Sequence, residues 1–341
     1  ALFCGLKLVG IVEAKKKAKD VKSDLGQAER YSKGIIDSSE FELIGTWDEY
    51  SVPFLFATNG RPYIEQLKEK SGIWFLDARS KTNLPRPLVG WYSPEGLMSL
   101  SKRDEFVSNQ KLKEEPISAL GLRDYQSNAI ESVERTIANG ERKVLVAMAT
   151  GTGKTRTCIG LAYRLIKTER FNRILFLVDR TSLGGQAEDS FKEMKIDGTR
   201  TFSDIYDIKG LEVISPETAT KVHFATVQAL IKRILYPSDG ETSIPIDQYD
   251  CIIIDECHRG YTLDKELSDE EFEYRNEADY ISKYRRVVEY FDAVKIGLTA
   301  TPALHTTEIF GKPVFTYSYR EAVIDAYLVD HIDPIKFKTK L

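Results

Sequence analysis

Seven residues limit this chain more than any other stretch of it: Ala149-Thr150-Gly151-Thr152-Gly153-Lys154-Thr155, set between a β-rich run, Val144–Ala147, and a helical pattern, Thr155–Thr168. Glycines in such a turn let successive backbone N–H groups converge on phosphate oxygens, and the N-terminus of the next helix adds its dipole. Lys154 is placed to reach the β- and γ-phosphates of a nucleoside triphosphate such as ATP, and the Thr155 hydroxyl to ligate Mg2+. The strict phosphate-loop pattern has glycine at position 148, where this chain has Met148. A loop of this kind requires a strand that opens onto a helix, which points to α/β architecture.

The rest of the C-terminal two thirds keeps that rhythm. Apolar runs recur at Ile174–Val178, Phe224–Val227, Cys251–Ile254 and Ile296–Thr299, with helical patterns such as Ser182–Lys192 between them. Runs without alternation fit strands buried on both faces of a mainly parallel sheet. Cys251–Ile254 ends in Asp255-Glu256-Cys257-His258. An acidic pair at the carboxyl end of a buried strand beside a phosphate loop has a mechanical use. Asp255 would hold Mg2+ through water, and Glu256 would orient and deprotonate the attacking water.

Further pieces fall around these two: Leu122-Arg123-Asp124-Tyr125-Gln126 upstream, Val178-Asp179-Arg180 and Ala225-Thr226-Val227-Gln228 between them, and Leu298-Thr299-Ala300-Thr301-Pro302 downstream. Singly, a helical Gln or a strand-end Arg is an ordinary surface residue. In this order, residues 118–341 resemble the first RecA-like lobe of a superfamily 2 helicase or translocase. The resemblance implies that Gln126 reads adenine. It also implies that Thr150, Gly151, Thr152, Gly153, Lys154, Thr155 and Asp255 hold ATP and Mg2+. Arg180, Thr226, Gln228, His258, Thr299 and Thr301 would couple nucleotide state to DNA. A second lobe supplies the arginine finger in such motors, and nothing after Pro302 offers one. The expectation is a fragment that binds nucleotide better than it turns it over.

Near the start, the apolar run Leu8–Val12 delivers Glu13-Ala14-Lys15, and strand alternation puts Glu13 and Lys15 on one side. A carboxylate that holds Mg2+ beside a lysine that steadies hydroxide is what phosphodiester hydrolysis requires. An isolated pair of this spacing arises by chance constantly. Here a helical stretch follows, Gln27-Ala28-Glu29-Arg30-Tyr31, with Gln27 and Tyr31 one turn apart on one face. The combination resembles the restriction-type nuclease core shared with the RecB family. That family has a further metal-binding aspartate upstream, whereas the first aspartate here is Asp20. The expectation is a partial restriction-endonuclease-like α/β domain, begun just after that upstream aspartate, with an inactive nuclease as the alternative. The lysines at 15, 16, 17 and 19 suit DNA phosphates, and a solvated strand end as well.

Strand signals at Val52–Thr58 and Gly72–Asp77 carry this domain to residue 98. The polar stretch from Ser99 to Ser118 has the composition of a linker, expected over residues 99–117. A second polar stretch, Asp264–Arg286, reads as a solvated helical insertion. Four cysteines include no CxxC pair, as expected of reduced structural thiols. The net charge of −4 does not suit a bulk nucleic-acid binder and leaves room for a local groove. No apolar run approaches the roughly eighteen residues that a membrane span needs.

A nuclease of this type ahead of a superfamily 2 motor resembles the R (restriction) subunit of type I restriction–modification systems. The likeness extends through Phe310-Gly311-Lys312-Pro313-Val314-Phe315 and Tyr319–Ile324. It implies methyltransferase and specificity subunits as partners, ATP-driven pulling of duplex DNA, cutting away from the recognition site, and a bacterial or archaeal cytoplasm. Two other readings stay open. One is a stand-alone superfamily 2 DNA or RNA helicase with a nuclease-like accessory domain. The other is a binding module with decayed sites, against which the intact Lys154, Thr155, Asp255 and Glu256 argue.

Overall fold

Alternating burial along one strand pair shows how the N-terminal region is built. The computed structural model describes residues 1–36, 39–179, 181–237, 243–257 and 277–330. Strand β1 (Leu2–Cys4) runs antiparallel to β2 (Lys7–Ala14), and β2 pairs in parallel with β3 (Glu42–Leu43) and β4 (Phe54–Thr58). Antiparallel β5 (Ile73–Asp77) and β6 (Arg86–Pro87) complete the sheet. Along β4, Leu55 and Ala57 point to one side and Phe54 and Phe56 to the other. The first face is covered by helix α1 (Leu25–Lys33) through Leu25 and Ala28, the second by α2 (Pro94–Ser101) through Leu97 and Leu100. Ile246, far along the chain, joins the second layer.

Helix α3 (Glu105–Glu114) then leads to α4 (Asp124–Ala138) and the larger sheet. Its strands are β7 (Lys143–Met148), β8 (Ile174–Val178), β11 (Ile208–Lys209), β12 (Val222–Thr226), β13 (Cys251–Ile254), β14 (Val294–Thr299) and β15 (Pro313–Tyr317). A small hairpin, β9 (Lys195–Asp197) and β10 (Arg200–Thr201), lies outside this sheet. Among the described residues the spatial order is β11-β12-β8-β13-β14-β7-β15, and every neighbouring pair is parallel. The helices are α5 (Lys154–Lys167), α6 (Thr181–Glu193), α7 (Phe202–Ile205), α8 (Val227–Leu235), α9 (Glu277–Tyr290), α10 (Leu304–Phe310) and α11 (Tyr319–Ile324). The apolar runs are continuous because both faces are buried: Ile174, Phe176 and Val178 enter one layer, Leu175 and Leu177 the other.

Two expectations change. The stretch expected as a linker is helical for most of its length and packed. Asp104 caps α3 by accepting the Val107 N–H at 3.0 Å, and Leu112 sits in the motor core. Buried Arg164 of α5 forks onto Glu134 (2.7 and 3.0 Å) and donates to the Leu112 and Glu115 carbonyls, each at 2.7 Å. Residues 264–276 of the expected insertion lie outside the described residues. Its remainder belongs to α9, where Tyr284, Val287 and Val288 are core side chains. Charge density hid that apolar stripe, because exposed and buried positions alternate within a turn of the helix.

Candidate functional site

The turn after β7 holds Gly151 and Gly153 at φ of +83° and +79°, a region that favours glycine. A Cβ on Gly153 would also lie 2.6 Å from the Gln126 amide nitrogen, so a larger residue there would displace that side chain from the loop. Thr152 is buried and ties the turn together by donating its hydroxyl to the Ala149 carbonyl at 2.6 Å. Thr150 lies exposed on the turn. Lys154 opens α5, is 7% exposed, and meets the Glu256 carboxylate at 3.1 Å. The Thr155 hydroxyl donates to Asp255 at 3.3 Å across the gap between α5 and the end of β13.

Asp255 and Glu256 stand where β13 ends. Asp255 accepts the Glu256 N–H at 2.9 Å, and Glu256 takes φ of +50°, an uncommon conformation for a residue with a side chain. Burial pushes the Asp255 carboxyl up from its ordinary range. The Glu256 charge adds to that, while Lys154 and the Thr155 hydroxyl oppose it. A cavity of about 160 Å3 opens beside Thr155, Asp255 and Glu256. A half-buried carboxylate held against its preference, with a hydroxyl and a cavity beside it, fits a hydrated divalent cation.

Gln126 packs against the phosphate loop. It is 3% exposed, and its amide donates to the Thr152 and Gly153 carbonyls at 3.0 and 3.3 Å while its oxygen accepts the Arg123 N–H at 3.1 Å. Both of its donated hydrogen bonds go to the phosphate loop, so the side chain braces that loop. Tyr125 does the same with its hydroxyl, which donates to Thr152 O at 2.8 Å. Nothing in the sequence marked Tyr125 beyond its place next to Gln126.

Thr299 closes β14 directly beside Ala147 of β7, where it donates to Thr301 O at 3.1 Å and accepts the Thr301 N–H at 3.2 Å. Thr226 stands at the head of α8 and caps it through the Ala229 N–H at 3.1 Å, with Gln228 in the first turn of that helix. Arg180 and His258 lie outside the described residues.

The second cluster sits at the end of β2. The Lys15 N–H extends the ladder by donating to Thr58 O at 2.8 Å, which keeps the Glu13 and Lys15 side chains together. Lys15 Nζ lies 2.6 Å from Glu13 Oε1 and donates to Gln27 Oε1 at 2.9 Å. Gln27 in turn donates to the Tyr31 hydroxyl at 2.5 Å. Hydrogen bonding to Glu13 raises the Lys15 ammonium above its usual range. Asp24, which sequence reading passed over, reaches within 3.9 Å of the same nitrogen. It stands at the helix N-cap position yet makes no capping hydrogen bond. Among the described residues no three His, Cys, Asp or Glu side chains converge on one point, so Glu13 would need a further ligand for a metal.

Residues 1–101 match the family model described as the second domain of the type I restriction enzyme EcoKI endonuclease subunit, and residues 119–304 match that of the type III restriction enzyme res subunit. The EcoKI endonuclease subunit of Escherichia coli (strain K12) is 46% identical over 363 aligned positions, covering 99% of this chain and 31% of that protein. The chain belongs to the family of type I restriction enzyme endonuclease subunits. The EcoAI endonuclease subunit of Escherichia coli is 31% identical across 82% of this chain and 32% of its own length. The chain thus spans about a third of these relatives. A solved structure of the ATP-dependent type ISP restriction-modification enzyme LlaBIII bound to DNA covers 62% of this chain and 16% of its own, at 21% identity and TM-score 0.45. The family assignment and the parallel sheet agree on a helicase-type, RecA-like lobe behind a restriction-endonuclease-like α/β region.

Proposed function

We propose that the protein is the restriction and motor subunit of a type I restriction–modification endonuclease. It would couple ATP hydrolysis to translocation along duplex DNA and cut that DNA away from the recognition site. The carrying observation is that one chain brings together Lys154, Thr155, Asp255 and Glu256 at one sheet and Glu13, Lys15, Gln27 and Tyr31 at another. Lys154 would leave Glu256 for the terminal phosphates, since an ammonium held by one carboxylate in a buried slot can be drawn to a more highly charged anion. Glu256, released, would take a proton from the attacking water. Thr155 and Asp255 would hold Mg2+, whose chemistry is to neutralise developing phosphate charge. Gln126 and Tyr125 would keep the loop in shape, and Thr299 and Thr301 would carry the change toward DNA contacts, together with Thr226, Gln228, Arg180 and His258.

At the other cluster Glu13 would share a Mg2+ ion with a further carboxylate, and Lys15 would stabilise charge on the scissile phosphate. Gln27 and Tyr31 would fix the lysine in place. Methyltransferase and specificity subunits would supply target reading, and the setting would be a bacterial or archaeal cytoplasm. Among the described residues no helix is long and apolar enough to cross a membrane. The test is ATP turnover and cutting by the full-length protein with those partners, on DNA with unmethylated or fully methylated target sites, with Glu256→Gln as control. Turnover stimulated only by unmethylated sites supports the reading. Equal stimulation by any DNA or RNA without partners overturns it in favour of a stand-alone helicase.

A further inference from the structure

The two regions meet through a polar seam that neither cluster uses. Arg86 of β6 holds Asp292 with two parallel hydrogen bonds of 2.7 Å, and the Tyr92 hydroxyl donates to the same carboxylate. Arg142 adds a second cation at 2.7 Å. Asp292 is almost fully enclosed, and its own N–H donates to Ile246 O at 2.9 Å. Beside this hub, Ser93 donates its backbone N–H to Asp247 at 3.0 Å, Arg103 pairs with Asp250, and Lys68 lies 3.2 Å from Glu289. Arg79 fixes Arg103 in turn by donating to its carbonyl at 2.7 Å. Ile246 plugs into the apolar layer of Phe54, Phe75, Leu88 and Leu97.

Three of the motor residues in this seam share one position in the fold. Arg142 immediately precedes β7, Asp250 precedes β13, and Asp292 comes just before β14. Asp250 also accepts the N–H groups of Asn172 and Arg173 (2.8 and 3.0 Å), the two residues ahead of β8. The seam therefore runs along the N-terminal rim of the strands whose opposite ends lead into the phosphate loop, Asp255-Glu256 and Thr299-Thr301. Strands of this length separate seam and motifs by roughly 15–20 Å. A bidentate Arg–carboxylate pair fixes direction as well as distance, and several such contacts on one rim fix an orientation.

We infer that Arg86, Tyr92 and Arg103 are positioning residues that clasp the cleavage region to the lower rim of the motor sheet, so that cutting depends on the nuclease cluster travelling in fixed register with the ATP-binding lobe. This rests on the two-activity reading above. The clasp lies opposite the nucleotide motifs, so loosening it leaves ATP chemistry intact while the cluster loses its registration with the moving DNA. A small misplacement of a reacting group is enough to slow chemistry severely.

The experiment uses the full-length protein with its partner subunits and measures DNA cuts per ATP hydrolysed in Arg86→Gln, Tyr92→Phe and Arg103→Gln. The ratio does not change when some of the protein is merely unfolded, because both activities then fall together. Arg86→Gln is expected to lower cuts per ATP on the order of tenfold, and Tyr92→Phe roughly twofold to threefold, with ATP turnover within about twofold of the parent. An unchanged ratio in all three, or a parallel fall of cutting and turnover, overturns the clasp. Should Arg86→Gln fail to fold, the milder Tyr92→Phe and Arg103→Gln decide. Glu13→Gln is assayed alongside. If it still cuts like the parent, the assignment of the nuclease has failed, and limited proteolysis of residues 99–123 decides the clasp separately: faster cleavage there in Arg86→Gln supports it, unchanged digestion overturns it.

Discussion

The lysine of the motor cluster is buried and that of the nuclease cluster half-buried, and the difference lies in what holds each in place. Lys154 is enclosed and Asp255 half-buried between a helix N-terminus and a strand end, and Lys154 already meets the Glu256 carboxylate there before any ligand arrives. At the other end, Lys15 is moderately exposed and Tyr31 half exposed, and the group is strung from strand to helix by hydrogen bonds in series. A buried site is costly to leave unbalanced and so assembles itself, whereas a surface group gains little from each contact and is completed from outside. On this view the ATP site can be ready in isolation, and the cutting site depends on added metal ligands and DNA.

Four changes can break or sharpen that contrast. The largest effect is expected from Lys154→Ala, which should lower ATP turnover by roughly a thousandfold and silence cutting with it. Retained cutting without turnover would mean the two clusters are not in series. Next, Glu13→Gln should cost cutting about a hundredfold while ATP turnover stays within about twofold, so that the dependence runs one way only. Gln126→Ala should weaken ATP and GTP binding by the same factor, about tenfold, because the side chain braces a loop that serves either nucleotide. A loss confined to ATP, by equilibrium titration, would mark it as an adenine reader.

The smallest effect concerns stability. Burial raises the Asp255 carboxyl, so the folded state holds its proton more tightly than the unfolded chain does. That imposes a cost which is present at neutral pH and fades as pH falls below the ordinary carboxylate range. Asp255→Asn should then stabilise the nucleotide-free protein by about 1 kcal/mol at neutral pH and abolish the extra stabilisation by Mg-ATP. Thermal melts with and without Mg-ATP at two pH values check both signs. A destabilised Asp255→Asn protein would show that the carboxylate is already balanced from within.

What could be read in advance followed from local pattern. The run Ile174–Val178 forms a strand over those same residues, and Cys251–Ile254 likewise, because a strand buried on both sides leaves an unbroken apolar signature. The phosphate loop and the Glu13–Lys15 and Gln27–Tyr31 pairs were legible because their spacing is set by strand and helix periods. Helix α3 was not, since much of its anchoring comes through carbonyls, which leave no mark on composition. The loop contacts of Gln126 were hidden for a related reason: a side chain that reads a base and one that ties down a loop are the same amide in sequence. Arg86 and Asp292 lie 206 residues apart, and nothing local to either shows that they meet.

The fork of Arg164 has a practical consequence for anyone who wishes to dissect the protein. A cut at residue 118, where the polar stretch ends, would remove the two carbonyls that occupy half of that guanidinium and strip Leu112 from the layer beneath it. An excised ATP-binding lobe should therefore open ahead of Asp104, carrying the capped helix as its own first element, so that the scissors fall in front of the bolt and not behind it.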